Sequence, residues 1–337
     1  VNYDFDGKYL LTATFRADGS SKFAEGNKWG YFPAFSAGWR ISEEKFFDNA
    51  GFINELKLTG GWGQLGNQNV GGLQYLALIN GGGRYSFNDN TVVGSTQSRL
   101  PNYNISWETA EMTNIGLNIE VLKRTLQANL NYFIKTTRDM LLSPPTIGTV
   151  GTLGIPDQNV GILRNQGLEI DLTYRNSAGD FNYSFSGNAS FIKNKVIKLY
   201  DGNYIGSVLY GRPLEEIART YEGSPIAVFY GWKTDGLYQT QEDVDKDPNI
   251  TNDPRRTAGL ISPGDVRFLD LNNDGMIDEN DRTILGSPHP KVVYGFNADF
   301  EYKGIDLSLF ILGSGGLSIF NADRMQGLDP TYSFNMY

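Results

Sequence analysis

Phe181-Asn-Tyr-Ser-Phe-Ser-Gly-Asn-Ala-Ser-Phe191 alternates from end to end: Phe181, Tyr183, Phe185, Ala189 and Phe191 on one parity, Asn182, Ser184, Ser186, Asn188 and Ser190 on the other. Successive side chains of a strand point to opposite faces, so this stretch predicts a strand with one apolar and one hydrogen-bonding face. The same period runs outward in both directions. It marks strands at 9–18, 31–42, 55–63, 114–121, 125–135, 167–175, 294–302 and 305–311, with a strand remnant at Val1–Phe5. Leu126, Ala128, Leu130, Tyr132 and Ile134 oppose Gln127, Asn129, Asn131 and Lys135; Leu168, Ile170, Leu172 and Tyr174 oppose Glu169, Asp171, Thr173 and Arg175. The fold class is therefore all-β.

The connections alternate in length. Short ones fall at 6–8, 43–54, 122–124, 176–180 and 303–304; longer ones fall at 19–30, 64–113, 136–166 and 192–293, followed by the tail after Leu312. Tight turns on one rim and long loops on the other describe an antiparallel transmembrane β-barrel. Tyr9, Trp39, Tyr174, Phe181, Tyr183, Phe300 and Tyr302 lie on the apolar parity near short turns, the height of an interfacial aromatic girdle. Inward positions are often small: Ser36, Gly38, Gly61, Gly63, Gly116, Ser184 and Ser186. About ten strands with a lumen of this kind, and a Ser333–Tyr337 end that reads as loop, describe a partial barrel from a longer protein. Region 192–293 is expected to be a long extracellular loop.

Composition narrows the function classes. The 337 residues carry 29 Lys+Arg against 38 Asp+Glu, no Cys and one His. Disulfides, thiolate metal sites and cysteine nucleophiles are excluded, and the acidic balance argues against a nucleic-acid partner. No apolar run approaches 18 residues, which excludes a membrane-spanning helix and leaves a barrel untouched.

Eight stretches taken in order carry a family resemblance. They are YLLTATFRADGSSKFA at 9–24, WGYFPAFSAGWRISEEKFF at 29–47, LKLTGGWGQLGNQN at 56–69, WETAEMTNIGL at 107–117, YFIKTTRDMLL at 132–142, NVGILRNQGLEIDL at 159–172, FYGWKTDGLYQTQEDVD at 229–245, and 263–313, which opens PGDVRFLDLNNDGMIDENDR. Together they resemble the SusC/RagA-type TonB-linked outer-membrane transporters of the Bacteroidetes. The resemblance implies a twenty-two-stranded barrel in outer-membrane lipid, with an N-terminal plug and a TonB-contacting segment that this chain lacks along with the last strands. It also implies a SusD-like surface lipoprotein as partner and an oligosaccharide or peptide as substrate. Catalysis is not implied.

Local motifs give further candidates. Counting Asp270 as position 1, oxygen donors fall at Asp270, Asn272, Asp274, Met276 (its carbonyl), Asp278 and Asp281, with Gly275 at position 6. This is calcium-loop spacing, with Asp in place of Glu at position 12, and it implies a structural Ca2+ in segment 270–281. Gly61-Trp-Gly-Gln-Leu-Gly66 satisfies a dinucleotide-binding spacing without the helix that such a site needs. Glu43-Glu44, Glu215-Glu216 and His289 read as surface groups, and the Asn-x-Ser triplets at Asn182 and Asn188 as lumen-wall residues. Tyr75, Tyr85, Phe87, Tyr103, Tyr204, Tyr210 and Tyr230 are aromatic platforms in the long loops. At this stage a soluble, calcium-stabilised all-β binding or adhesion domain also remains open.

Overall fold

The computed structural model describes residues 1–47, 51–72, 74–143, 155–200, 205–210 and 215–323. The expectations for Tyr204 and for 333–337 lie outside them. Among these residues no helix is long and apolar enough to cross a membrane. Two compact units emerge, one of 1–203 with 290–316 and one of 204–289 with 317–337.

The strands in chain order are β1 (Asn2–Phe5), β2 (Tyr9–Gly19), β3 (Trp29–Arg40), β4 (Ile53–Asn67), β5 (Leu78–Phe87), β6 (Asn90–Arg99), β7 (Glu108–Val121), β8 (Leu126–Leu142), β9 (Gln158–Ala178) and β10 (Phe181–Lys198). The series continues with β11 (Ile205–Tyr210), β12 (Glu215–Thr220), β13 (Val228–Trp232), β14 (Thr234–Leu237), β15 (Val266–Phe268), β16 (Arg282–Gly286), β17 (Val292–Tyr302) and β18 (Ile305–Gly315). Ten of them form one antiparallel sheet in the order β1-β2-β3-β4-β7-β8-β9-β10-β17-β18. The sheet is the partial barrel wall, with β1 and β18 at its two ends.

Register keeps the two faces separate across the whole wall. One row of Cα partners reads Trp39, Leu58, Leu117, Leu130, Ile170, Ala189, Tyr294 and Gly313. The adjacent row on the other face reads Lys57, Asn118, Asn129, Asp171, Asn188 and Gly295. A one-residue slip at any pair would put amides among the apolar side chains. From Phe181 to Phe191, ten steps of about 3.3 Å tilted by about 40° span about 25 Å, the height of a lipid-facing band. Phe15 (68% exposed), Phe35 (56%), Leu307 (54%) and Ile311 (58%) stand bare on this face, which a soluble domain could not sustain. The soluble-domain reading is set aside on that ground.

The girdle residues meet one another. Phe181 lies 6.2 Å from Phe300 and 6.4 Å from Tyr302 between ring centroids, and Tyr174 lies 6.0 Å from Tyr183. Glu44, in the turn after β3, accepts from Tyr9 Oη at 2.5 Å and from Trp39 Nε1 at 3.0 Å, tying both ring tips to the short-turn rim.

Several strands outrun their expected lengths. β8 continues to Leu142, β9 starts at Gln158 and β10 reaches Lys198, because pairing persists where the outward residues turn polar. The long connection 64–113 also contains the β5–β6 hairpin. Within this wall unit, Phe23, Phe32, Val70, Ile105 and Trp107 form a small buried cluster in which loop residues cover the inward Phe32.

The second unit occupies the long connection between β10 and β17. It holds a four-stranded sheet, β11-β12-β13-β16, and the pair β14-β15. Two short helices, α1 (Gln241–Lys246) and α2 (Pro254–Thr257), follow β14. Thr240 and Asp243 close a reciprocal cap on α1: Asp243 N donates to Thr240 Oγ1 at 3.2 Å and Thr240 N to Asp243 Oδ2 at 2.8 Å. Tyr238, Val244 and Ile250 form the unit's small core.

Candidate functional site

The inward face of the wall is a field of amides, hydroxyls and carboxylates that bond across strands. Asn118 Nδ2 donates to Asn129 Oδ1 at 2.7 Å, Asn131 Nδ2 to Glu169 Oε2 at 2.8 Å and Asn194 Nδ2 to Asn165 Oδ1 at 2.6 Å. Asp299 accepts from Ser184 Oγ at 3.1 Å, Asn297 Nδ2 at 2.6 Å and Ser308 Oγ at 2.7 Å. It lines a hollow of about 660 Å³ at the short-turn end, with Arg175, Asn182, Glu301 and Asp306. Such a surface offers both donors and acceptors to a hydroxyl- or amide-rich solute. β18 departs from the pattern, since Phe310 and Leu312 pair with inward Asn297 and Gly295 and are about 70% exposed.

The small inward residues make room for their neighbours. A Cβ at Gly116 would come 2.6 Å from Thr59 Oγ1, and one at Gly61 would come 2.8 Å from Asn114 Oδ1. Gly61 to Gly66 runs on inside β4, so its dinucleotide-like spacing builds no phosphate loop. Asn182 Nδ2 reaches Glu301 Oε2 at 3.4 Å and Asn188 lies against Gly295, both as wall residues.

The Asp-rich loop closes on itself. Asp270 Oδ1 accepts from Asn273 N at 2.6 Å and its Oδ2 from Gly275 N at 2.6 Å, while Asp274 Oδ1 accepts from Met276 N at 2.8 Å. Asn272 Nδ2 donates to Asp274 Oδ2 at 2.9 Å, and Asp278 Oδ1 accepts from Asn280 N at 2.7 Å. Asp281, fully buried, accepts from Leu271 N and Asp278 N, both at 2.8 Å. Gly275 takes φ +79°, the left-handed turn that position 6 requires. The backbone thus has the calcium-loop turn, while the carboxylates are occupied by N–H groups. Among the described residues no three acidic or His side chains gather as a metal-ligand set.

Beside this loop is a polar network that spacing did not reveal. Asp247, nearly fully buried, accepts from Arg267 Nε at 2.8 Å, Tyr238 Oη at 2.7 Å and Asn249 N at 2.9 Å. Burial opposes its ionisation, and the Arg267, Asn249 and Tyr238 donors outweigh burial and hold the carboxyl below the usual range. Burial and Asp247 push the Tyr238 phenol up. Arg255 holds Asp253 low in the same way.

The loop aromatics divide. Tyr85 and Phe87 pack on each other at 4.7 Å and remain exposed on the β5–β6 hairpin. Tyr75 packs against the Phe23–Trp107 cluster, and Tyr103 is exposed. Tyr230 lies under the guanidiniums of Arg219 at 4.1 Å and Arg282 at 5.1 Å; the side chain of Tyr210 lies outside the described set. Glu216 pairs with Arg219 at 2.5 Å and Glu43 with Arg40 at 3.1 Å. His289 is exposed in a turn, its N–H on Ser287 Oγ at 3.2 Å.

Residues 1–275 match the family described as TonB dependent receptor-like, beta-barrel. TonB-dependent receptor P26 of Formosa agariphila is 34% identical over 328 residues, covering 95% of this chain and 32% of that protein. TonB-dependent receptor SusC of Bacteroides thetaiotaomicron is 30% identical over 320 residues, covering 93% and 30%. A solved structure of the RagAB peptide transporter superposes with a TM-score of 0.72 at 22% identity, over 94% of this chain and 32% of that one. The chain spans about a third of the length of these relatives.

Proposed function

Since the chain belongs to the TonB-dependent receptor-like β-barrel family, of the SusC/RagA type and resident in the outer membrane, we propose that it forms the substrate-facing wall of an importer for oligosaccharides. The observation that supports this reading is the inward face itself. Hydroxyl, amide and carboxylate groups continue from strand to strand, so a sugar can exchange one set of hydrogen bonds for the next along the wall. The apolar patches that grip a hydrophobic solute are largely missing from it. On this reading a SusD-like surface lipoprotein delivers the solute at the long-loop rim, and TonB supplies the energy through parts of the full-length protein outside this chain.

Uptake by cells in which the full-length protein is the sole importer tests the substrate. Accumulation of labelled oligosaccharide with no accumulation of labelled peptide is the expected result. The reverse would establish the peptide importer suggested by the RagAB likeness. Co-purification of a surface lipoprotein with the full-length protein tests the partner.

Structural calcium in segment 270–281 belongs to the same proposal, supported by donor spacing and by the turn at Gly275. A cation would compete there with backbone N–H groups, so binding in the weak range of extracellular modules, about 10⁻⁴–10⁻³ M, is expected. Trp232, whose Nε1 donates to the Asp278 carbonyl at 2.8 Å, is a fluorescent reporter beside the loop. A calcium titration with no change in its emission and no heat of binding would remove the ion from the proposal.

A further inference from the structure

The outward face of the wall changes character at the long-loop end of β8, β9 and β10. On β9 and β10 the last apolar row is Leu168 with Phe191, which continues to Tyr132 on β8. On these two strands the next outward pair is Gln166 with Lys193, beside Ile134 of β8, and the next is Arg164 with Lys195. At about 3.3 Å per residue and a tilt of about 40°, these rows stand about 5 and 10 Å above the apolar band. That is the headgroup depth of a bilayer.

Two adjoining hollows lie at this junction. One, of about 200 Å³, is lined by Arg164, Gln166, Lys193, Lys195 and Ile197. The other, of about 220 Å³, includes Tyr132, Gln166, Leu168, Phe191 and Lys193. They share Gln166 and Lys193, so a cationic basin runs into an apolar one.

Among the described residues no carboxylate neutralises the charges in the basin. Lys195 and Arg164 are directly opposed, an arrangement of like charges that weakens strand pairing. Among the described residues none of Arg164, Lys193 and Lys195 forms an ion pair. The carboxylate nearest in register, Glu111 on β7, is taken by Arg138 Nε at 3.3 Å and Trp62 Nε1 at 3.4 Å. Arg164 is steadied from the neighbouring strand, its Nε on Thr136 Oγ1 at 3.3 Å. A cluster of three cations in a chain of net charge −9, on the lipid side and at headgroup height, calls for an anion from the membrane.

We propose that this groove binds a lipid of the outer leaflet through its phosphorylated headgroup. The phosphate sits among Arg164, Lys193 and Lys195, and the acyl chains run down over the Tyr132–Leu168–Phe191 row. The apolar basin beneath the cations distinguishes a lipid from a free anion: one ligand must satisfy both. The guanidinium presents a planar fork to phosphate, and the lysines add flexible point charges.

The test uses the full-length transporter in detergent, with lipid A bearing its phosphates as the probe and lipid retention read by native mass spectrometry. Each cation near a charged lipid headgroup contributes roughly five-fold in binding. The triple variant R164Q/K193Q/K195Q should therefore retain lipid A about a hundred-fold more weakly. The charge-conserving R164K/K193R/K195R should bind within a few-fold of the parent, and K135Q, at the same height on the inward face, should not change it. Heat-dependent migration on gels confirms that each variant is a folded barrel. Dephosphorylated lipid A held as tightly as lipid A, or a folded triple variant that binds like the parent, would overturn the proposal. So would inorganic phosphate displacing the lipid at equimolar concentration, because it would make the acyl chains irrelevant.

Discussion

Arginine scanning across one row of the wall separates lipid face from lumen face with the largest expected contrast. Leu130 lies midway along the outward run Leu126–Ile134 of β8 and pairs with Leu117 and Ile170, so its surroundings are apolar on both sides. Asn129, its neighbour in sequence, points the other way and accepts from Asn118 Nδ2 at 2.7 Å beside Asp171. An Arg at the bilayer midplane of a barrel costs about 2–4 kcal/mol. Asn129→Arg gives up one hydrogen bond, about 1 kcal/mol, and places the new cation beside Asp171 and Glu169 in a wet lumen. The difference between the two variants is therefore about 1–3 kcal/mol, or roughly five- to more than a hundred-fold in the folding equilibrium.

The assay is denaturant titration of the full-length protein refolded into lipid vesicles, with folded and unfolded forms separated by their unheated gel mobility. Leu130→Arg should move the midpoint to markedly lower denaturant and Asn129→Arg only slightly. Equal shifts would refute the assignment of faces on which both the function and the lipid groove depend. A larger shift for Asn129→Arg would invert it.

Other expectations follow from single positions. A Cβ at Gly167 would lie 2.3 Å from the Phe191 carbonyl oxygen, a backbone atom that cannot rotate away, whereas at Gly187 the nearest atoms are 3.9 Å off. Gly167→Ala should cost about 1–3 kcal/mol and Gly187→Ala should be neutral or slightly stabilising, checked by the same titration. Asp247→Asn leaves Arg267 and Tyr238 short of their shared acceptor and should cost the second unit about 2–3 kcal/mol, visible as faster amide exchange at Val244 and Ile250 with the wall unchanged. Asp247 and Asp253 both titrate below the ordinary carboxylate range, so folding favours their charged forms. Their contribution is whole above about pH 4 and is lost as pH falls through the lower folded values. Protection factors for amide exchange in this unit, with the intrinsic pH dependence of exchange divided out, should fall below about pH 4 and be flat from pH 5 to 8; a fall on the alkaline side would contradict the network.

Where the sequence was legible, a single physical signal repeated many times. Each wall strand separates lipid from water, so Phe181–Phe191 or Leu126–Ile134 spells its two faces in period two, and the short-turn rim ends each apolar run sharply. The same signal explains the errors of extent. At Gln166 and Lys193 the outward neighbour ceases to be hydrocarbon, alternation vanishes, and β9 and β10 nevertheless continue for several residues through backbone pairing that side-chain polarity does not report. The second unit was hidden for a related reason: its stability rests on point contacts such as Arg267 with Asp247, twenty positions apart, which follow no period at all. The Asp-rich spacing was readable as a turn because Gly275 and the self-bonding carboxylates are local. Its ligand was not readable, since the same oxygens that suit a cation also suit the N–H groups of their own loop. Periodicity therefore reports which solvent a face meets, and the place where it fails on a strand that continues marks a change of solvent. On β9 and β10 that place is the cationic groove, which makes the end of the alternation a positional clue to where the headgroups lie.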